Sequence, residues 1–441
     1  MSGLVERIAV PFAGDGGGTG PLSWGQQAIW KEMAAAGSSL AMTAVRELEP
    51  GTTPDRYVDE YRFYLSRYQS MRTLLRFAPD GGVSQVVPDS GTAEIEVYDS
   101  AGRDPAAIAA EVSAHHYAVR FDYEREWPMR MALVRHAGAL THLVVTLAHH
   151  VADPTAAMAM FEDLSNRDPS TGEPPRPPGL QPLEQARLQL TPSALRQHEA
   201  ALRYWETQLL TVPAPRLPRP AGAAPPEHRY WELDLLSPAL YRALRAIAAR
   251  LGVTTTPVLY AAFADALGQA TGATQVATMI TVNNRFRPGL ADAAGHMSQH
   301  GLCTLDLAGG GFDDLVLRAR RRLLTAQKNA YYAQGDVDRL IDRVGRERGV
   351  DFELLCLFNN RRSEDGPIET APAAGEIRAA GATTLDWRPL PSLPRRLMVH
   401  VNDAVDALSV RAQIDTTAIS RDGLTALLRR MEATVVDAAL A

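Results

Sequence analysis

The segment TLAHHVADP, residues 146–154, brings together side chains that can do acid–base chemistry. His149 is followed by His150 and, four residues later, by Asp153. An imidazole has an ordinary pKa of about 6.5, so it can accept a proton at neutral pH. The aspartate can hold the local turn or pair with a cation without being the base. The spacing therefore indicates a general base, and the alternative for so short a motif is a satisfied histidine at the end of a strand.

The elements that must position these side chains are predicted from hydrophobic periodicity. Apolar strands are predicted over 128–136 and 139–148, paired around a turn at Gly138, and a helix over 155–165. A side chain on a loop between a strand and a helix is held by rigid elements and still faces solvent. This context favours a cleft position for His149.

The rest of the chain alternates predicted helices and strands, which indicates two α/β sandwiches rather than one long sheet. Proline-rich stretches at 168–182 and 212–226 predict extended connectors. We therefore expect an N-terminal lobe over 1–175, a linker over 176–191 and a C-terminal lobe over 192–441. The predicted helices are 24–35, 54–71, 192–210, 237–251, 255–270, 312–331, 336–347 and 418–438. The further predicted strands are 274–283, 301–307, 352–358, 396–402 and 407–413.

Composition excludes several classes of protein. The chain has 441 residues, 46% of them apolar and 22% charged, with a formal net charge of -6 and two cysteines. These values exclude a disordered chain, a disulfide-stapled miniprotein and a general nucleic-acid binder, which would carry a basic domain. Neither a secretory signal nor an apolar run of ~18 residues is seen, so we expect a cytoplasmic protein without a membrane span. No cluster has zinc spacing, so no metal is expected.

Several segments, in order along nearly the whole chain, resemble the condensation domains of nonribosomal peptide synthetases and the related HxxxD acyltransferases. Residues 146–154 resemble the HHxxxDG signature of that family. The other resembling segments are PLSWGQQAIW (21–30), RYQSMRTLL (67–75), YWETQL (204–209), VNNR (282–285), DFELLCLFNN (351–360) and the closing stretch 397–438.

The signature departs from the family pattern at two positions. If the aspartate of the pattern is Asp153, His149 is the catalytic histidine, Ala148 replaces the preceding histidine and Pro154 replaces the glycine. A rival alignment makes His149 and His150 the pair, and it leaves Pro154 where the aspartate should stand. We prefer the first alignment, because Asp153 then keeps its place relative to both His149 and the following helix.

The resemblance implies a fold of two chloramphenicol-acetyltransferase-like α/β sandwich lobes, forming a V with a tunnel at the interface. It implies that His149 is catalytic and that Asp153 pairs with Arg285, as a bond between the lobes in which a bidentate guanidinium would satisfy the carboxylate. The residues that would then lie beside the substrate are His150, Thr155, Asn283, His300 and Asn360.

The function implied is that of a stand-alone condensation-type acyltransferase, which forms an amide or an ester from a thioester donor in natural-product (antibiotic) biosynthesis in a bacterium. The donor would arrive on the phosphopantetheine arm of an acyl or peptidyl carrier protein in trans, and the acceptor would be a small-molecule or carrier-bound nucleophile. We expect a monomer without a tightly bound cofactor. Helix 318–328 is rich in arginine and is a candidate carrier-docking surface. The alternatives are a catalytically inactive recruitment platform and an enzyme that uses acyl-coenzyme A.

Overall fold

The chain divides into two compact units, each built from its own strands and helices. The first comprises Met1–Arg196 and Asn283–Gln299, and the second comprises Gln197–Val282 and His300–Ala441. The computed structural model describes residues 3–168, 170–214, 217, 228–352, 356–362, 368 and 370–441.

The described part of the first unit contains eight strands, a short 3-10 helix at Gln69–Arg72 and five α-helices that lie in it entirely. Its strands are β1 (Leu4–Ala13), β2 (Gly18–Pro21), β3 (Met42–Glu47), β4 (Leu74–Phe77), β5 (Val83–Val87), β6 (Ser90–Asp99), β7 (Met129–His136) and β8 (Ala139–Leu147). Its helices are α1 (Trp24–Ala36), α2 (Pro54–Arg67), α3 (Pro105–Ala118), α4 (Pro154–Ser165) and α5 (Pro182–Leu188).

Helix α6 begins in the first unit and ends in the second. The second unit holds all the later elements that the structure describes, except that the first residue of β11 belongs to the first unit. The helices are α6 (Pro192–Thr211), α7 (Pro238–Leu251), α8 (Thr255–Thr271), α9 (Phe312–Lys328), α10 (Gln334–Arg348), α11 (Ala374–Arg378) and α12 (Arg421–Leu440). The strands are β9 (Tyr230–Ser237), β10 (Gln275–Val282), β11 (Gln299–Asp306), β12 (Cys356–Asn360), β13 (Thr384–Leu390), β14 (Leu397–Ala404) and β15 (Ala407–Asp415).

A five-stranded sheet of order β1-β6-β7-β8-β3 supports the first unit. Strands β7 and β8 pair antiparallel, and the turn between them has positive φ at Ala137 and Gly138, 49° and 85°, as a two-residue hairpin turn requires. Adjacent residues of β8 face opposite sides of the sheet. Val144 packs in the cluster that includes α3, and Val145 in the cluster that includes α2 and α4. Burial on both faces makes β8 rigid up to the loop that carries His149.

The second unit has a seven-stranded sheet of order β11-β10-β12-β14-β15-β9-β13. Strand β12 pairs in parallel with both β10 and β14. Helix α8 is buried over most of its length, and its Tyr260 and Phe263 contact Phe358 of β12 with ring centroids 5.5 and 5.4 Å apart.

The structure differs from the sequence-based division at two places. Residues 283–299 belong to the first unit, although the expected C-terminal lobe included them. The expected linker 176–191 contains α5, in which Leu183 and Gln185 are buried, because Gln185 and its neighbours pack against β2 and the 3-10 helix. The proline-rich stretch 212–226 lies largely outside the described residues.

The two strands and the helix predicted around the histidine motif are present as β7, β8 and α4. The predicted helix 54–71 ends earlier, at Arg67, because Tyr68 is extended and a 3-10 helix follows. Over the described residues no single helix is long and apolar enough to cross a membrane. Helices α7 and α8 are long and apolar enough only when taken together, and they are bent by 114° relative to each other.

Candidate active site around His149

The histidine loop is anchored by backbone hydrogen bonds to the ends of neighbouring segments. The Ala148 amide donates to the Pro128 carbonyl at 2.9 Å, and the His149 amide donates to the Ser39 carbonyl at 3.3 Å. Ser39 is itself buried, and its hydroxyl hydrogen bonds to Tyr123 at 2.7 Å. The main chain at His149 is therefore fixed from both sides.

The His149 ring is oriented by a carbonyl group in its own loop. Its Nδ1 lies 3.1 Å from the carbonyl oxygen of Ala152. A carbonyl oxygen can only accept, so Nδ1 carries the proton in the neutral ring and the lone pair is on Nε2. The side chain is half-buried. This arrangement gives an imidazole with a defined tautomer and a basic nitrogen at the opposite edge of the ring.

Asp153 begins helix α4 and also binds the segment 283–299. Its Oδ1 accepts a hydrogen bond from the Ala156 amide at 2.9 Å, which caps the helix. Its Oδ2 accepts from Arg285 Nη1 at 2.8 Å, from the Met297 amide at 2.9 Å, and from the Ser298 amide and hydroxyl, each at 3.2 Å. These contacts lead to the loop 293–298, and none of them is to His149. The Asp153 carboxylate therefore joins helix α4 to the loop 293–298 and does not orient the His149 ring.

Arg285 meets the carboxylate through one nitrogen and uses the other on the main chain. Its Nη2 donates to the carbonyls of Ala293 and Gly295 at 3.1 and 2.9 Å. The expected bidentate pairing is therefore wrong, and the expectation that the bond joins two lobes is also wrong, because Asp153 and Arg285 belong to the same compact unit. The chain bends back at Asn284, whose φ is +59°.

The Asp153–Arg285 pair is almost completely removed from water, with exposed side-chain fractions of 1% and 8%. Burial alone raises the pKa of Asp153, but the Arg285 guanidinium and the hydrogen bonds outweigh it and lower that pKa below its ordinary value. The carboxylate is therefore ionised at neutral pH. Its negative charge is neutralised by a guanidinium brought from a distant part of the sequence.

His296 is a further residue of the site, although the sequence marks it only as a residue near the stretch 298–307 that could face a tunnel and favours a structural role for it. Its ring lies edge-on to the His149 ring, with centroids 5.1 Å apart and an interplanar angle of 80°. Burial, and then the nearby His149, lower its pKa to about 4, so the ring is neutral at pH 7. Nothing in the motif pattern marks this histidine, because its position depends on the return of 283–299 to the first unit.

His150 faces the interior of the first unit. Its side chain is 2% exposed, and its ring makes an edge contact with Tyr123 at a centroid distance of 5.5 Å. Burial lowers its pKa to about 3. The expectation that His150 lies beside the substrate is therefore not met, because a ring packed in this way has no free face to offer a ligand.

The other expected substrate-binding residues lie in different surroundings. Thr155 is exposed on the first turn of α4, and Asn283 is exposed, with its Oδ1 accepting from the Arg285 amide at 3.2 Å. His300 and Asn360 belong to the second unit. Asn360 Nδ2 donates there to Thr256 Oγ1 at 2.6 Å. The structure thus brings together His149, Asp153, Arg285 and His296 in the first unit.

Ala148 occupies the place of the first signature histidine and is completely buried. It packs in an apolar cluster that includes Leu22, Met33 and Phe121. The small side chain therefore fits an apolar interior. No group of three or more histidine, cysteine, aspartate or glutamate side chains among the described residues has an arrangement that could hold a metal ion.

Comparison with known proteins identifies the family. The model of the condensation domain matches residues 18–362, so the chain belongs to the condensation domain family. It is 27% identical over 271 residues to the cyclosporin synthetase of Tolypocladium inflatum, covering 60% of this chain and 2% of that protein. It is also 27% identical over 359 residues to the chondramide synthase of Chondromyces crocatus, covering 76% of this chain and 9% of that protein. The chain thus spans less than a tenth of the length of these relatives.

Solved structures support the same fold. The condensation domain from the monacolin K polyketide synthase superimposes with a TM-score of 0.74 at 17% identity, covering 97% of this chain and 98% of that chain. The X-domain in its complex with OxyB from teicoplanin biosynthesis superimposes with a TM-score of 0.70 at 15% identity, covering 99% and 96%. The fold is that of chloramphenicol acetyltransferase, as expected. Condensation domains transfer acyl groups to form amide or ester bonds in peptide and polyketide synthetase systems that use carrier proteins.

Proposed function

We propose that this chain is a condensation-type acyltransferase in which His149 is the general base and the acyl donor is a thioester. The observation that carries the proposal is the 3.1 Å contact between His149 Nδ1 and the Ala152 carbonyl. It leaves a basic Nε2 on a half-buried ring, which is the protonation state that a general base requires. A histidine used only for packing does not need this tautomer.

The proposed reaction needs one proton acceptor and no covalent acyl-enzyme. An amine or hydroxyl of the acceptor attacks the thioester carbonyl carbon while His149 Nε2 takes its proton. The tetrahedral intermediate then collapses, the carbon–sulfur bond breaks, and the imidazolium returns the proton to the leaving thiolate. The products are an amide or ester and a free thiol. A thioester is already activated, so a nucleophilic residue on the enzyme is not required.

Asp153 and Arg285 have a positioning role in this proposal. The carboxylate contacts the start of α4 and the loop 293–298, and these contacts do not include the His149 ring. It therefore does not orient the base as the aspartate of a serine protease triad does. Its contribution is to hold the two chain segments whose residues, His149 and His296, meet at the site.

A carrier protein is the donor partner that we propose, with helix α9 as its docking surface. One face of α9 packs on the core through Leu315 and Leu323, and the opposite face exposes Arg320 and Arg321. The chain as a whole carries a formal charge of -6, whereas this face of α9 exposes consecutive arginines. Opposite charges steer association, which favours an acidic partner at this surface.

The experiment that tests the proposed function compares donors. The purified protein is incubated with an acyl group on a phosphopantetheinylated carrier protein, on coenzyme A and on N-acetylcysteamine, each with a panel of amine and alcohol acceptors. Mass spectrometry measures the product. We expect turnover with the carrier-bound donor that is lost in H149A. Turnover that is unchanged in H149A would show that His149 takes no part in the reaction. Equal turnover with the coenzyme A donor would show that a carrier protein is not required.

A recruitment platform is the second candidate, and the substitutions in the signature favour it. Ala148 stands in place of a signature histidine and Pro154 in place of the glycine. A solved structure with this fold is the X-domain in complex with a second protein, OxyB. Absence of turnover with every donor, together with retained binding of a carrier protein, would support this candidate over the acyltransferase.

A further inference from the structure

We infer that His296 is a positioning residue that fixes the ring of His149 in the tautomer with the proton on Nδ1; this inference rests on the proposed role of His149. The two rings belong to segments that are far apart in the sequence, yet they meet edge to face at 5.1 Å in one compact unit. Neither the sequence signature nor the resemblance assigns a role to a histidine at this position.

A shared hydrogen-bond acceptor links the two rings. The carbonyl oxygen of Ala152 lies 3.1 Å from His149 Nδ1 and also accepts a hydrogen bond from the His296 ring. A carbonyl oxygen has two lone pairs and can accept both bonds. The His296 bond fixes the direction of this carbonyl, and the carbonyl in turn fixes which nitrogen of His149 carries the proton.

The His296 ring is well suited to hold a neighbouring base without competing with it. It is 4% exposed, and its Nδ1 has no hydrogen-bond partner among the described residues. The charged and titratable groups acting on it are His149 and Arg285, which disfavour its protonation, and Asp153, which favours it. Burial adds to the first two, and the ring stays neutral at neutral pH. A neutral ring does not repel the imidazolium that forms on His149 during the reaction.

The backbone on either side holds His296 in place. The amides of Met297 and Ser298 donate to Asp153, and the Arg285 guanidinium binds the Gly295 carbonyl. On the other side, helix α1 approaches so closely that a Cβ at Gly25 would lie 2.1 Å from the His296 carbonyl oxygen. The buried ion pair therefore acts on His149 indirectly, by holding His296 in place. This explains why the pair lies near the base without contacting it.

The test replaces His296 by phenylalanine, which keeps a ring and loses the hydrogen bond, and by glutamine, whose amide can still donate to the Ala152 carbonyl. The control is H142Q, which changes a half-buried histidine on β8 that hydrogen bonds to Thr141 Oγ1. The direct readout is the ¹⁵N spectrum of the imidazole groups, with the His149 signals assigned from their loss in H149A. This measurement needs no substrate.

We expect His149 to be in the Nδ1–H form in the native protein, and to become a mixture of tautomers in H296F but not in H296Q or H142Q. Turnover should follow, with kcat lower by about 10- to 100-fold in H296F at unchanged KM, and a smaller loss in H296Q. In an H149A background, H296F should cause no further loss.

An unchanged His149 tautomer in H296F would overturn the inference, even if turnover fell. A loss of kcat in H296F that persists in the H149A background would also overturn it, because the effect would then not pass through His149. If the native protein showed no turnover with any donor, the proposed function would fail, and the spectra alone would still decide whether His296 fixes the His149 ring.

Discussion

Arg285 Nη1 lies 2.8 Å from Asp153 Oδ2, although the two residues are 132 positions apart in the chain. The bond lies within one compact unit, because residues 283–299 return to the unit that contains the histidine loop. It connects the beginning of helix α4 with the loop 293–298 and thereby fixes the surroundings of His149.

Removing one partner of this pair should destabilise the protein. We expect D153A to lower the free energy of unfolding by about 3–5 kcal/mol, because it leaves the buried Arg285 guanidinium without its counter-charge. Urea unfolding followed by circular dichroism measures the change. The control is E111Q, which breaks the exposed Arg103–Glu111 pair and should leave stability within error. Native stability in D153A would show that the pair does not hold the fold.

Replacing His149 should affect catalysis and spare folding. We expect H149A to lower kcat by about 10²- to 10⁴-fold, the range for loss of a general base, with an unchanged unfolding midpoint. The ring is half-buried on a loop, so its loss leaves no sealed cavity. Single-turnover kinetics with a carrier-bound donor give the rate. A drop in the unfolding midpoint as large as that of D153A would assign His149 a structural role instead.

Stability should fall with acid before the carboxylates are protonated. Burial lowers the pKa of His150 to about 3 and that of His296 to about 4. As pH falls below about 6.5, both rings therefore become protonated in the unfolded chain while they stay neutral in the folded protein. Their contribution is complete above an unfolded pKa of about 6.5 and is lost as pH falls towards the folded values.

The variant H150F tests this pH dependence. Between pH 6 and 4 it should reduce the slope of the unfolding free energy against pH by up to about 1.4 kcal/mol per pH unit, because the unfolded variant binds one proton fewer than the native sequence does. Urea titrations at several pH values measure the slope. A slope in H150F equal to that of the native protein would contradict this account. Asp153 acts in a lower window, because its pKa is lowered and its contribution is lost only as pH falls below about 4.

Restoring the signature histidine should cost stability. Ala148 is completely buried in an apolar cluster, so A148H adds a polar ring where there is no space and should lower the unfolding free energy by at least about 1–3 kcal/mol. Thermal unfolding measures it, with A139H on the exposed first residue of β8 as the control. A fully stable A148H with raised turnover would show that the departure at this position is a loss of function and not a packing adaptation.

Charge reversal on α9 should weaken the use of a carrier-bound donor. We expect R320E/R321E to raise the KM for that donor about 10-fold and to leave the KM for an N-acetylcysteamine thioester unchanged, because only the former brings a protein surface. The control R196E/R430E reverses two exposed arginines elsewhere. Equal effects of the two double variants would mean that overall charge, and not a docking surface on α9, sets the donor affinity.

The strand–loop–helix around His149 could be predicted from the sequence, because its signals are local. A run of apolar residues marks β8, and a proline directly after Asp153 marks the first turn of α4. The family resemblance also named Arg285 as the partner of Asp153. The resemblance could not give the geometry of that contact, which is monodentate and within one unit.

Other parts of the site could not be predicted, because they depend on long-range packing. His296 contacts His149 only after residues 283–299 fold against the first unit, and no periodicity signals that return. The inward direction of His150 depends on Tyr123, which comes from another segment. The expected linker is partly helical in α5, since Pro182 stands at the beginning of this helix, where a proline is tolerated, and not within it.

The return of residues 283–299 to the first unit has a consequence for biosynthesis. During translation the ribosome releases Asp153 long before Arg285, and the whole of 197–282, which belongs to the second unit, emerges in between. The nascent first unit therefore lacks the Arg285 guanidinium until the ribosome has translated the part of the second unit that precedes residue 283. A protease-resistant intermediate ending before residue 283 should accordingly be absent, and genetic fusions or split versions of this protein should be joined at sites that keep 283–299 with residues 1–196.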